Sequence, residues 1–210
     1  MRLALLRIAS ACVPEKLERV KELLDAGQVE EAMTTAGLEE EDVARYRPLF
    51  YDTAAITGLR AGNPENINVI PPLATAYADG RILPGQTKEG FFQALQQRVG
   101  DEVEIQVYKN QYSAGVEANT EHPILETIQE VIGEHYPGAQ VIPWLCIGAT
   151  DAKYLLQLGT PVYGFIPAKP LPEGIEELGA HANDERIWIE NVPFALEVLY
   201  EVAYRFCTRV

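Results

Sequence analysis

The sequence predicts an α/β fold, and three observations carry that expectation. Runs with helical spacing alternate with strand-like runs along the second half of the chain. Pro and Gly fall between those runs as turn signals. The hydrophobic share of the 210 residues is 47%, which suits a packed globular protein rather than a disordered one.

Each element follows from local pattern. Leu3, Leu5, Leu6, Ile8, Ala9 and Cys12 lie at helical spacing with no capping side chain before them, which predicts that the chain opens inside a helix. Pro14 suits the first turn of a second helix, whose stripe is Leu17, Val20 and Leu24 and whose end is Gly27. Shorter helical pieces follow at Val29 to Thr35 and Glu39 to Tyr46. Ala54 to Arg60 and Leu73 to Arg81 read as strands separated by Asn63-Pro64 and Pro71-Pro72 turns. Thr87 caps a helix to about Val99, and Glu102 to Tyr108 alternates as a half-buried strand does. The second half then predicts helices at Pro123 to Tyr136, Asp151 to Leu158 and Pro193 to Phe206, with strands at Gln140 to Cys146 and Pro161 to Ile166. Such alternation implies a parallel sheet, whose sites gather beyond the carboxyl ends of its strands.

Composition narrows the function classes. A formal net charge of -14 argues against nucleic acid, since phosphate binding needs clustered Lys and Arg. Three widely spaced cysteines, Cys12, Cys146 and Cys207, form neither a disulfide framework nor a C-x-x-C site, which predicts a reducing, cytoplasmic setting. Arg7 cuts the first apolar run too short for a signal peptide, and no run is long enough to span a bilayer, so no membrane partner is expected.

Two loops carry candidate chemistry. Ile147-Gly148-Ala149-Thr150-Asp151 follows a predicted strand and opens a helix; Gly148 lets backbone approach a ligand, and Thr150 or Asp151 either caps the helix or leaves its amides for an anion. His181 lies in a small, polar loop, Gly179 to Arg186, where an imidazole can serve as a metal ligand or as a surface residue.

Read in order, Asn68-Val-Ile-Pro71, Ala78-Asp-Gly-Arg81-Ile-Leu-Pro-Gly85, Thr150-Asp-Ala-Lys153, Gly159-Thr-Pro-Val-Tyr-Gly-Phe165 and His181-Ala-Asn-Asp-Glu-Arg186 resemble the co-catalytic zinc metallopeptidases and amidohydrolases of the aminoacylase, glutamate carboxypeptidase and succinyl-diaminopimelate desuccinylase type. The resemblance implies two domains. Residues 1–107 resemble an incomplete ferredoxin-like α+β lid, lacking its first strand, which usually also makes a homodimer. Residues 108–210 resemble the closing α/β half of the catalytic domain. His181 matches the last metal ligand, Asn68 and Arg81 match lid residues that grip a substrate carboxylate, and Gly148 and Thr150 match a pocket wall. Lys153 stands where many relatives carry Arg.

The family's other zinc ligands and its general base come from a His-x-Asp pair and a Glu-Glu pair ahead of the lid. Here His122 precedes Pro and His135 sits within a predicted helix, outside any His-x-Asp pair, and Glu30-Glu31, Glu39 to Glu41 and Glu176-Glu177 lie in polar, solvated stretches. One imidazole cannot hold a catalytic zinc, which takes about three protein ligands. The implied function is a portion of a zinc-dependent hydrolase of peptide or N-acyl amino acid amide bonds, inactive alone, arising from a truncated gene, a split gene or a trimmed chain, with a separate N-terminal half as one candidate partner. The alternative is a non-catalytic dimerisation module with a decayed metallopeptidase remnant.

Overall fold

A computed structural model describes residues 1–146, 148, 150–172 and 183–209. The chain divides into two compact units, Met1–Glu117 with Trp144–Gly159, and Ala118–Pro143 with Thr160–Val210.

The first unit begins with four helices, α1 (Arg2–Cys12), α2 (Leu17–Asp25), α3 (Val29–Thr35) and α4 (Glu40–Tyr46). Their apolar stripes converge on one core, in which Leu5, Ala9, Val20, Leu23, Ala32 and Met33 are buried and Tyr46 and Phe50 pack at the edge. Gly27 and Gly37 sit at φ +73° and +94° just past α2 and α3. There they let Gln28 and Leu38 N–H groups reach back to the Leu23 and Met33 carbonyls, closing the helix ends. The helical readings of this region hold to within a residue or two because each stripe and each stop is local.

Strands β1 (Thr53–Ala61) and β2 (Ala74–Arg81) follow and pair antiparallel, from Thr53 opposite Arg81 to Ala61 opposite Ala74. A bulge at Thr57 interrupts the register between Ile56 and Gly58. Ile56 therefore faces Ala78 and Leu59 faces Ala76, on the same side of the ribbon. Helix α5 (Lys88–Val99) is capped by Thr87, whose Oγ1 accepts the Gly90 N–H at 3.1 Å. Its Phe91 seats a ring edge against Gly80, where a β-carbon would stand 2.9 Å from the ring. Asp52 ties the end of the ribbon by accepting the Leu83 N–H at 2.8 Å. Helix α7 (Ala152–Gln157) also belongs to this unit.

In the second unit, α6 (Pro123–His135) packs on α8 (Asn191–Thr208). Ile128 and Val131 meet Phe194, Val198 and Val202, a stripe at i, i+4 and i+8. Arg205 clamps the pair through two hydrogen bonds to Glu134, at 2.6 and 2.8 Å, and Arg209 reaches Glu130. Pro123 occupies the first turn of α6, and His122 Nδ1 accepts the Ile124 N–H at 3.3 Å.

The parallel sheet is corrected by the structure. Among the described residues the only ladder is the antiparallel β1–β2 pair. The runs expected as strands at 102–108, 140–146 and 161–166 carry no ladder among the described residues. In or beside two of these runs, glutamine side chains bond the backbone. Gln129 donates to the Ala139 carbonyl at 2.8 Å and accepts the Val141 N–H at 2.7 Å, while Gln96 donates to the Gly100 and Val103 carbonyls. These bonds satisfy groups that would otherwise need a neighbouring strand. The fold is a set of helices with a small two-stranded sheet, a mixed arrangement consistent with the α/β class.

Candidate functional site

Four of the five predicted site residues lie in the first unit. Asn68 is exposed in the loop from Gly62 to Leu73 that joins β1 to β2. Short turns build that loop: Asn63 Oδ1 accepts the Glu65 N–H at 3.0 Å, and the Asn66 and Val69 amides each close on a carbonyl three residues back. Gly62, Asn63, Asn66, Val69, Pro71 and Leu73 are among the residues that line a half-open recess of 320 Å³ beside Asn68.

Arg81 is the last residue of β2, with about half of its side chain exposed. Its guanidinium pairs with Asp79 Oδ2 at 2.7 Å on the same face of the strand, the spacing that period-2 geometry dictates.

Gly148 is exposed, and its N–H donates to Cys146 Sγ at 3.4 Å. Thr150 resolves the capping alternative: its Oγ1 accepts the Ala152 N–H at 3.0 Å, while Asp151 stands at the N-cap without a side-chain bond. The hydroxyl thus takes an amide that an anion would need. Among the described residues, no hydrogen bond or ion pair joins Asn68, Arg81, Gly148 and Thr150 to one another.

His181 lies outside the described residues. Among those described, no group of three or more His, Cys, Asp or Glu side chains is placed to hold a metal ion. The described residues therefore do not by themselves form a zinc site. The other two histidines have packing roles: His122 caps α6 and packs its ring near Tyr163 and Phe206, and His135 meets Phe194 edge-on.

Two polar groups escaped the sequence reading. Tyr163 donates its hydroxyl to the Asn119 carbonyl at 2.7 Å, and burial pushes the phenol above its ordinary value. Asn191, nearly buried, accepts the Lys169 N–H at 2.8 Å and anchors the loop before α8. Neither carries a local signature, because each partner is more than twenty residues away.

Comparison with known proteins gives the class to which these helices, the small sheet and the ordered motifs belong. The profile of Peptidase family M20/M25/M40 matches residues 11–205, and the chain belongs to that family. Among characterised proteins it is similar to N-fatty-acyl-amino acid synthase/hydrolase PM20D1 of Xenopus tropicalis, 31% identical over 150 residues, which is 71% of this chain and 28% of that protein. It is similar also to the Mus musculus PM20D1, at 27% over 71% of this chain and 29% of that protein. Probable carboxypeptidase S-like 2 of Dictyostelium discoideum is 26% identical over 71% of this chain and 28% of that protein. The chain thus spans less than a third of the length of these curated relatives. No solved structure matches it.

Proposed function

We propose that these 210 residues are the lid and closing portion of a zinc-dependent amidohydrolase that cleaves the amide bond of an N-acyl amino acid or a peptide, and that by themselves they do not turn over substrate. Family membership over residues 11–205 is the observation that carries this reading. Relatives described as N-fatty-acyl-amino acid hydrolases favour the N-acyl amino acid. In this reading residues 1–107 form the lid and 108–210 the catalytic remainder.

Arg81 pairs with the substrate carboxylate in bidentate fashion and Asn68 donates beside it, while the recess under the 62–73 loop takes part of the acyl group. Gly148 and Thr150 wall the pocket, and His181 supplies one zinc ligand. The two-stranded ribbon, whose outer edges have no ladder partner among the described residues, supports a homodimer through the lid. Three exposed free cysteines favour a reducing compartment, the cytoplasm.

The test is hydrolysis of a long-chain N-acyl amino acid in the presence of zinc, read as released amino acid. The chain alone should be inert. Supplied with the part of the Xenopus tropicalis relative outside the matched region, it should turn over, and Arg81→Ala should raise KM about tenfold or more with a smaller effect on kcat. Zinc-dependent turnover by these residues alone would sink the reading that they are catalytically incomplete.

A further inference from the structure

The backbone on either side of Arg81 is met by three other parts of the first unit. On the face of β2 opposite the guanidinium, Gly80 touches the ring of Phe91 from α5, and a β-carbon there would stand 2.9 Å from it. Beyond Arg81 the chain passes through Ile82, Leu83 and Pro84, and the Leu83 N–H donates to Asp52 Oδ1 at 2.8 Å. The third contact is Gly115. A β-carbon on Gly115 would lie 2.6 Å from the Ile82 carbonyl oxygen and 2.8 Å from both the Leu83 carbonyl carbon and the Pro84 nitrogen. All three are backbone atoms, so a change of rotamer cannot make room for it.

Side chains keep the Gly115 segment beside β2 and α5. Tyr108 sets its ring edge-on to Tyr77 of β2, with centroids 5.1 Å apart, and the Lys88 ammonium lies 5.7 Å from the centre of the Tyr112 ring. Gly115 is not at positive φ, so its missing side chain serves the close approach rather than a turn. Arg81 itself has about half of its side chain exposed. The contacts therefore fix the root of the side chain while its tip reaches solvent. A side chain rooted in this way loses less freedom when its tip engages a ligand.

We infer that Gly115 and Asp52 are positioning residues for Arg81, holding residues 82–84 so that the guanidinium meets the substrate carboxylate at a fixed place. The inference rests on the carboxylate grip proposed above for Arg81 and adds the residues that aim it. Neither Gly115 nor Asp52 touches substrate.

The experiment is an NMR titration of the full chain without metal, following the Arg81 Nε–H resonance as N-acetyl-L-leucine or its amide, N-acetyl-L-leucinamide, is added. The acid should move the resonance and the amide should not, because only the acid offers a carboxylate to pair with. Gly115→Ala should weaken binding of the acid about tenfold, and Asp52→Ala, which removes one hydrogen bond, about threefold. Asp52→Asn keeps an acceptor oxygen for the Leu83 N–H and should bind as the wild type does. Circular dichroism verifies that the variants keep their helices, and if Gly115→Ala does not fold, the Asp52 pair of variants carries the test. Unchanged affinity in Gly115→Ala and Asp52→Ala would overturn the inference. So would an Arg81 resonance that the acid leaves in place in the wild type, or Asp52→Asn binding as weakly as Asp52→Ala. Binding that the variants weaken, with no hydrolysis when the missing part of the domain is supplied, would sink the proposed activity and leave this inference standing. Hydrolysis with the wild-type KM in both variants would do the reverse.

Discussion

Thr150 shows how one side chain decides between two readings of a loop. Its hydroxyl accepts the Ala152 N–H, so the α7 start is a capped helix end. Thr150→Ala should destabilise that turn by about 0.5–2 kcal/mol, and Thr150→Ser should restore it. Hydrogen exchange of the α7 amides measures both; unchanged exchange in Thr150→Ala would mean the hydroxyl does no capping. The caps at Thr87 and Thr150 were legible because a cap joins residues two or three apart. His122 was not legible as a cap, since an imidazole rarely holds that position and its signature looked like a lone histidine before Pro. Arg81 was found by its place in an ordered motif, whereas its Asp79 partner follows from strand geometry.

At the scale of elements, the helices were readable because 3.6-residue spacing is written in each segment alone. A strand pattern says only that a segment suits a ladder, and the ladder needs a neighbour from elsewhere. Hence β1 and β2 were read correctly, while 102–108 and 140–146 read as strands and have their backbone met by Gln96 and Gln129 side chains. The α6–α8 pair was readable as two helices, but the Arg205 clamp was not, because Glu134 is distant in sequence. Hydrogen bonds from Arg205 hold the Glu134 carboxyl below its ordinary value, ahead of a smaller opposing effect of burial. A carboxyl depressed in the folded state stabilises above its unfolded value and loses that contribution as the pH falls through the folded one. The melting temperature of wild type should therefore exceed that of Glu134→Gln near neutrality, with the gap closing as the pH drops below about 4. A gap that persisted in acid would show that the clamp acts through packing rather than charge.

Across the whole molecule, order is expected to be uneven. The core of α1 to α3 and the α6–α8 contact bury their apolar residues, whereas Ile56 and Leu59 on the ribbon stay exposed. A two-stranded ribbon is marginal unless something covers it. Native-state hydrogen exchange on the free chain should find slow amides in α2, α3, α6 and α8 and fast ones in β1 and β2. Slow exchange in the ribbon would mean that a partner already covers it, most simply a second copy.

The bulge at Thr57 has a bearing on how this lid tolerates changes in length. Because the extra residue sits between Ile56 and Gly58, deleting it restores plain alternation and keeps Ile56 and Leu59 on one side. A deletion elsewhere in β1 or β2 would turn one flank over, exchanging its two faces. Thr57 is thus the one place where β1 can shorten by a residue without displacing the side chains that β2 presents at Asp79 and Arg81.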